Sequence, residues 1–284
     1  MFTQLLIDGL FFGIRCSLLG VGFCLLYRTH RFMDFGFGLA TTLAAYCSYA
    51  AHVIWSWPLI TAVCFGALAA TSLGLALHIT LYRILRERGA TQLVMLLASL
   101  GVYIVLQNML ILLFGAQNHA LQNWAVVEGV HLADARVSLS QATNALITLL
   151  ALAFVAIVLT RFRVGRQLRA AGNDPDLAIS SGLPIGRVRL VAAGLGYCLG
   201  GIAGLFTALE ANLWPGMGFD SLLAGAVSAI IGGTSSLVGA FSSGLVIGIV
   251  THVGIWQLAS EWQSTILFLI LLAFLVVRPR GISG

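Results

Sequence analysis

Residues 91–114 read TQLVMLLASLGVYIVLQNMLILLF, a stretch without a single charged side chain. About twenty apolar residues in a helix are long enough to cross a ~30 Å hydrocarbon core. Similar runs recur along the chain, which is 59% hydrophobic and only 9% charged. A soluble domain carries roughly a quarter charged residues. The sequence therefore predicts an all-α fold, a polytopic transmembrane helix bundle within a single domain, residues 1–284.

We expect about eight to nine membrane segments, some of them short, broken or re-entrant helices. Internal glycines, 32 in all, suit close packing between such helices. The approximate bounds of the predicted segments are 4–27, 34–51, 58–81, 91–114, 141–161, 189–210, 219–232, 237–256 and 263–278.

The arginines give the bundle an orientation. With nine segments, thirteen of the fifteen basic residues fall on one side, which the positive-inside rule makes cytoplasmic. The N-terminus is then outside and the C-terminus cytoplasmic, in a multi-pass protein. The thirteen are Arg28, Arg31, Arg83, Arg86, Arg88, Arg161, Arg163, Arg166, Arg169, Arg187, Arg189, Arg278 and Arg280.

Composition also excludes several functions. The chain has no lysine, so it contains neither a P-loop ATPase motif nor a lysine for Schiff-base chemistry. Its formal charge of +5 lies in short loops between apolar spans and does not indicate nucleic acid. Its five cysteines lie in apolar runs without a C-x-x-C pair, and its histidines lack a tight ligand spacing. We therefore expect no metal site and no cofactor in this chain.

Two glycine-rich segments indicate a possible substrate pathway. Segment 219–232 is short and ends in Gly232-Gly233-Thr234-Ser235-Ser236, so it is not expected to cross as a regular helix. Asp34-Phe35-Gly36-Phe37-Gly38 opens the second span in a similar way. Paired glycine-interrupted segments are typical of transporter binding sites. The alternative is close helix packing around the glycines, and the sequence favours neither.

The longest polar cytoplasmic stretch, residues 162–188, contains a predicted short helix at 175–181. Asp174 is a good N-cap, and Pro175 suits the first helical position. Gly182 suits the position just after the helix, and Pro184 prevents continuation. So short a helix needs a docking surface. That surface is either its own bundle or a groove on a cytoplasmic partner.

Several motifs, in order along the whole chain, resemble the permeases of branched-chain amino acid ABC transporters. The coupling-loop resemblance rests on Gly165, Arg166, Arg169, Ala170, Asp174, Ala178, Gly182 and Leu183. The others are Asp8-Gly9-Leu10 with Gly20-Val21-Gly22, Asp34-Phe35-Gly36, Ala98-Ser99-Leu100-Gly101 with Leu106-Gln107-Asn108, the run Ala229 to Ala240, and Arg278-Pro279-Arg280-Gly281-Ile282.

The resemblance implies one ABC-importer permease domain in a bacterial inner membrane. It implies a second homologous permease, two ATPase subunits that hold ATP and magnesium, and a periplasmic substrate-binding protein. The loop at 165–183 would transmit ATP-driven closure of the ATPases to the bundle. The sequence departs at Phe37 and Leu39, where the family often has His and Glu. The resemblance implies that the transported solute is a branched-chain or other amino acid. The departure at Phe37 and Leu39 leaves urea, a short amide or an aromatic acid as the alternative.

Polar residues inside the membrane are candidate pathway residues. Arg15 lies near the middle of the first span, where it would meet an anionic substrate group, an acid of the partner permease, or a structural partner. Gln107 and Asn108 could bind substrate or a neighbouring helix. Asp34 could instead cap the second helix.

At the outer surface, Glu210, Asn212 and Asp220 surround Trp214-Pro215-Gly216. These three polar residues could receive the binding protein, because charged patches steer such docking. The alternative is a solvated loop.

Two other functions compete. A stand-alone secondary transporter or channel would need no coupling loop, and it would more often carry buried ionisable residues than this chain does. A membrane-embedded enzyme would need a nucleophile or metal motif, and the sequence contains no H-E-x-x-H.

Overall fold

The computed structural model describes residues 2–121, 130–132, 135–234, 236–254 and 262–277. Over these residues the chain is almost entirely helical. The helices are α1 (Phe2–His30), α2 (Gly36–Tyr49), α3 (Leu59–Leu77), α4 (Arg83–Glu87), α5 (Gln92–Phe114), α6 (Leu139–Arg161), α7 (Arg163–Asn173), α8 (Pro175–Ser180), α9 (Ile185–Glu210), α10 (Met217–Gly232), α11 (Leu237–Gly254) and α12 (Gln263–Val277). Ala50–Ile54 extends α2 as a π-helical turn, and His78–Tyr82 joins α3 to α4 in the same way.

The predicted membrane bundle is confirmed. Seven described helices are long and apolar enough to cross a membrane, and Met217–Gly232 and Gln263–Phe274 are shorter apolar helices. These nine correspond to the nine predicted segments. Large apolar side chains such as Ile60 and Leu112 point outward from the bundle, as they do in a protein surrounded by lipid.

A small hairpin is the one departure from an all-α chain among the described residues. Strands β1 (Val130–Leu132) and β2 (Ala135–Val137) pair antiparallel, with His131 opposite Arg136. The hairpin lies in the connection between α5 and α6. Its six residues do not change the predicted fold class.

Helix α1 is the centre of the bundle and packs against α9, α10 and α11. Its contact with α11 is made by small residues, since a Cβ added to Gly248 would collide with Gly13 and one added to Gly244 would collide with Ser17. The Ser17 hydroxyl donates to the carbonyls of Gly13 and, across the interface, Phe241. Small residues at such spacing let membrane helices approach closely.

Candidate functional site

Helix α8 forms as its caps predict. The Asp174 carboxylate accepts hydrogen bonds from the backbone N–H groups of Asp176 and Leu177, at 3.0 Å each. The helix ends at Ser180, one residue earlier than predicted, and Gly182 follows with φ +75°. Leu183 N–H donates to the Ala178 carbonyl, which closes the last turn. Local sequence chemistry therefore fixes both ends of this helix.

Helix α8 carries two exposed apolar side chains, one on each flank of the buried Ala178, whereas Asp176 and Ser180 lie on its outermost side. Leu177 is 65% exposed and Ile179 is 59% exposed, whereas Ala178 between them is buried on the bundle side. A two-turn helix in water gains nothing from presenting two large apolar side chains to solvent. The exposed pair leaves α8 with a small hydrophobic surface suited to a groove on another protein.

Helix α7 precedes α8 and is a correction to the sequence interpretation, which placed only one short helix in the loop. It is amphipathic. Leu168 and Ala171 are buried, and Gly165 packs so closely on Leu159 that a side chain would not fit. Arg166, Arg169 and Ala170 are exposed. The apolar spacing of Val164, Leu168 and Ala171 is the helical signal that sequence reasoning missed.

Two arginines at the end of α1 hold the end of α7. Arg28 Nη2 donates to the Asn173 side-chain oxygen at 2.9 Å. Arg31 Nη2 donates to the Gly172 carbonyl at 2.7 Å and to the Asn173 carbonyl at 3.3 Å. The carbonyls at a helix C-terminus lack partners within the helix and carry partial negative charge. The two guanidinium groups therefore clamp α7, and with it α8, to the central helix.

The end of α1 is held by two further arginines. Arg189 Nε of α9 donates to the Thr29 carbonyl at 3.1 Å, and Arg86 Nη2 of α4 donates to the His30 carbonyl at 3.3 Å. The ends of α1, α4, α7 and α9 thus meet on the arginine-rich side of the bundle. This side is the one that the sequence assigned to the cytoplasm.

Asp34 lies in the connection between α1 and α2, and it is 1% exposed. Its carboxylate accepts hydrogen bonds at 2.5 Å from the hydroxyls of Tyr82 and Tyr197, and at 2.9 Å from Gly36 N–H. Burial raises the pKa of the Asp34 carboxyl, and the three hydrogen bonds act in the opposite direction. Asp34 therefore joins the start of α2 to α9 and to the π-helical turn after α3, whereas the N-cap position of α2 is Phe35, with no side-chain cap.

The neighbouring candidate pathway residues are packed into the bundle. Phe35 N–H donates to the Ser99 hydroxyl at 3.2 Å. A Cβ on Gly36 would meet the Tyr197 hydroxyl, and one on Gly38 would meet the Gly218 carbonyl of α10. In this conformation both glycines serve close packing, the alternative that the sequence had left open.

The second glycine-rich segment is short, as predicted. Helix α10 is a regular α-helix of 16 residues that spans about 24 Å, less than the ~30 Å hydrocarbon core, and the chain breaks after Gly232. Gly232 packs directly on Gly239 at the start of α11, and Gly233 has φ +91°. The Thr234 carbonyl accepts a contact from Cys24 Sγ of α1 at 3.4 Å. The remaining candidate of this segment, Ser235, lies outside the described residues.

The amide pair of α5 is divided between two environments. Gln107 Nε2 donates to the Pro215 carbonyl at 3.2 Å and so holds the loop before α10. Asn108 is exposed, and its Nδ2 donates to the Ile104 carbonyl of its own helix at 2.7 Å. The two predicted neighbours therefore do not form one polar patch.

Arg15 and Glu210, which the sequence placed in two separate sites, form an ion pair. The other oxygen of Glu210, Oε1, accepts from Asn144 Nδ2 of α6 at 3.1 Å. The pair links the middle of α1 to the last residue of α9 and is partly buried, with side-chain exposures of 15% and 24%. Arg15 thus has an acidic partner within its own chain.

The other predicted outer residues remain at the surface. Asn212 and Asp220 are exposed, and the Asp220 carboxylate accepts from the Ser264 hydroxyl of α12 at 3.4 Å. The backbone between Asn212 and Asp220 is fixed by a reciprocal pair of hydrogen bonds between His119 and Leu213, at 2.9 and 2.7 Å.

Comparison with known proteins agrees with the membrane bundle. A family model described as "Branched-chain amino acid transport system / permease component" matches residues 5–275. The high-affinity branched-chain amino acid transport system permease protein LivH of Salmonella typhimurium, and that of Escherichia coli K12, are each 27% identical over 100% of this chain and 96% of the relative. The permease protein BraD of Pseudomonas aeruginosa is 24% identical over the same shares.

Among solved structures, PsaBC from Streptococcus pneumoniae in complex with Fab matches with a TM-score of 0.46 and 15% identity. The match covers 97% of this chain and 89% of that chain. This likeness is too distant for any role to be transferred.

The bundle and the family match over residues 5–275 define a transmembrane permease subunit of an ABC transporter. The chain belongs to the family of branched-chain amino acid transport system permease components.

Proposed function

We propose that this permease imports branched-chain amino acids across a bacterial inner membrane, driven by ATP hydrolysis on separate subunits. The substrate is inferred from the relatives, whose names state branched-chain amino acid transport. The working complex contains a second homologous permease, two ATPase subunits with ATP and magnesium, and a periplasmic binding protein. The N-terminus lies outside and the C-terminus in the cytoplasm.

The observation that carries the proposal is the pair of exposed apolar side chains on α8, Leu177 and Ile179. A groove on an ATPase subunit that surrounds α8 would bury both of them. The caps at Asp174 and Gly182 keep the helix formed while it is undocked, so little ordering entropy is lost on docking. The surface therefore fits a permanent protein partner better than it fits solvent.

The contacts of α7 supply the route for transmission. When ATP closes the two ATPase subunits, each α8 moves with the groove that holds it. Helix α7 follows, and Arg28 and Arg31 pass the displacement to the end of α1. Because α1 packs against α9, α10 and α11, a shift of its end re-orients the centre of the bundle. Alternating access then exposes the pathway to one side at a time.

At the outer surface, Glu210 is held by Arg15 and Asn144, so Asn212 and Asp220 are the better candidates for contact with the binding protein. Phe37 and Leu39, which depart from the family pattern, are buried in the core at 0% and 1% exposure. Their apolar character therefore serves packing in this conformation and does not argue against an amino acid substrate.

The test is purification of the tagged chain from its native membrane in mild detergent, with partners identified by mass spectrometry. We expect two ATPase subunits and a second permease with the wild type. The Leu177→Ala/Ile179→Ala variant should retain roughly tenfold less ATPase, since two large apolar contacts are lost. Val238→Ala, a truncation of another exposed apolar residue, should retain it fully.

Transport is measured in liposomes with the purified complex and radiolabelled leucine, with urea, a short amide and an aromatic acid as competitors. Uptake that requires ATP and is competed only by branched-chain amino acids supports the proposal. Recovery of the chain alone, still transporting without ATP, would refute the coupling role and leave a secondary carrier or channel.

A further inference from the structure

A cavity of about 450 Å³ opens between the end of α3, helix α4 and the start of α9. It lies on the arginine-rich side, next to the junction where Arg86 and Arg189 hold the end of α1. Its volume is within the range of small-molecule sites. Its lining consists of His78, Ile79, Arg83, Arg86, Glu87, Pro184, Gly186, Arg187, Arg189 and Leu190.

The charge of this lining is strongly unbalanced. Four guanidinium groups face a single carboxylate, and that carboxylate, on Glu87, already accepts from Arg83 Nε at 2.8 Å. Arg86 and Arg189 each donate to a backbone carbonyl of α1, but a guanidinium has five N–H donors. The cavity therefore offers several cationic donors to one ligand.

A buried histidine adds a second, independent feature. His78 is only 4% exposed, it lines the cavity, and its Nδ1 has no hydrogen-bond partner among the described residues. A buried polar atom without a partner is uncommon in native proteins. A phosphate in the cavity would supply that partner, because its anionic oxygen accepts from a protonated Nδ1 and its hydroxyl donates to an unprotonated one.

The apolar part of the lining indicates where the ligand comes from. Ile79 and Leu190 lie on helices long enough to cross the membrane; Ile79 is one turn inward from Arg83, Leu190 directly follows Arg189, and Ile79 is 49% exposed. Arginine binds phosphate oxygens in a bidentate manner. Basic cavities between membrane helices on the cytoplasmic side suit anionic lipid head groups.

We propose that this cavity binds a phosphate group, supplied by an anionic phospholipid of the surrounding leaflet or by free phosphate. The bound phosphate would bridge α4 to the start of α9 through Arg83, Arg86, Arg187 and Arg189. It would thereby stabilise the arrangement of α4 and α9, the two helices whose arginines hold the end of α1. The site is separate from α8 and from the candidate pathway residues.

The test uses the full-length permease purified with its native partner subunits, stripped of lipid and examined by native mass spectrometry. Phosphatidylglycerol and phosphatidylcholine with the same acyl chains are offered in equal amounts. The wild type should retain phosphatidylglycerol in preference. Arg83→Gln/Arg187→Gln, which changes two exposed side chains, should retain at least about tenfold less.

The matched control is Arg88→Gln, which removes one exposed charge from the same side but does not line the cavity. It should bind phosphatidylglycerol like the wild type. The single variant Arg187→Gln replaces the double variant if the latter fails to assemble. Arg187→Gln should bind less phosphatidylglycerol than the wild type, but the loss should be smaller than in the double variant.

A second arm adds millimolar inorganic phosphate and follows the thermal unfolding midpoint. Phosphatidylglycerol retention that phosphate does not displace identifies the lipid as the source. A midpoint raised by phosphate in the wild type alone, without lipid preference, identifies free phosphate. The proposal is overturned if neither ligand distinguishes the wild type from the variants, or if Arg88→Gln loses as much binding as the double variant.

Discussion

Asp34 provides a direct test of how the start of α2 is fixed. Its carboxylate is the shared acceptor for the hydroxyls of Tyr82 and Tyr197, both 0% exposed. The variant Asp34→Ala leaves both hydroxyls in the bundle without this acceptor. A buried polar group left without a partner costs about 1–3 kcal/mol, so two of them predict a loss of roughly 2–6 kcal/mol.

The same reasoning predicts a partial rescue. If the cost comes from the two orphaned hydroxyls, removing them with the carboxylate should recover most of it. The triple variant Asp34→Ala/Tyr82→Phe/Tyr197→Phe is therefore expected to be more stable than Asp34→Ala alone, by at least about 1.5 kcal/mol. Contacts in one network are not additive, and this difference measures the coupling.

The assay is the free energy of unfolding of the purified permease in mixed micelles, from an SDS titration followed by circular dichroism. Tyr46→Phe is the matched control, because the buried Tyr46 hydroxyl has no hydrogen-bond partner among the described residues. It should not lower the unfolding free energy. A triple variant as unstable as Asp34→Ala, or an Asp34→Ala loss below about 1 kcal/mol, would refute the reasoning.

Three further predictions follow from other contacts. Arg15→Gln should lower the free energy of unfolding by about 1–3 kcal/mol, because the ion pair with Glu210 is partly buried. The double variant Arg15→Gln/Glu210→Gln should lose less than the sum of the two single variants, and strictly additive losses would count against the pair. Asp174→Ala removes the N-cap of α8, worth about 1 kcal/mol, and should reduce the amount of co-purified ATPase. Asp174→Asn keeps a capping side chain and should retain the ATPase, so equal recovery with both variants would contradict a role for the cap. Gly38→Ala should lower the free energy of unfolding by about 1–3 kcal/mol, because the added carbon pushes α2 away from α10. Gly101→Ala should be neutral, since nothing lies within 4 Å of its added carbon. Similar unfolding free energies for the two variants would argue against close packing at Gly38.

The features that the sequence predicted well are those encoded locally. The spans follow from the length of each apolar run, since the bilayer sets the required length. Helix α8 follows from Asp174, Pro175 and Gly182, because each satisfies a backbone requirement within a few residues of itself. These predictions needed no knowledge of which helices are neighbours.

The features that the sequence could not supply depend on which helices meet. Arg15 and Glu210 are 195 residues apart, and Asp34 and Tyr197 are 163 apart. Nothing in the local pattern pairs them, so the sequence offers Arg15 several partners and suggests an outer polar patch for Glu210. Helix α7 was missed for a different reason. Its polar composition resembles a loop, and the apolar spacing of Val164, Leu168 and Ala171, which marks the buried face, is easily overlooked in so polar a segment.

The arginine contacts explain why a displacement of α8 would reach the centre of the bundle instead of being lost in a flexible loop. Arg31 takes φ +63°, a conformation that costs a non-glycine residue of order 1 kcal/mol or more. In that conformation its N–H donates to the Tyr27 carbonyl, which closes α1, while its side chain reaches the Gly172 carbonyl of α7. One residue thus ends α1 and holds the C-terminus of α7. Asp34, three residues later, fixes the start of α2 to α9. A movement of α7 would therefore reach the start of the connection between α1 and α2, and Asp34 holds the other end of that connection to α9.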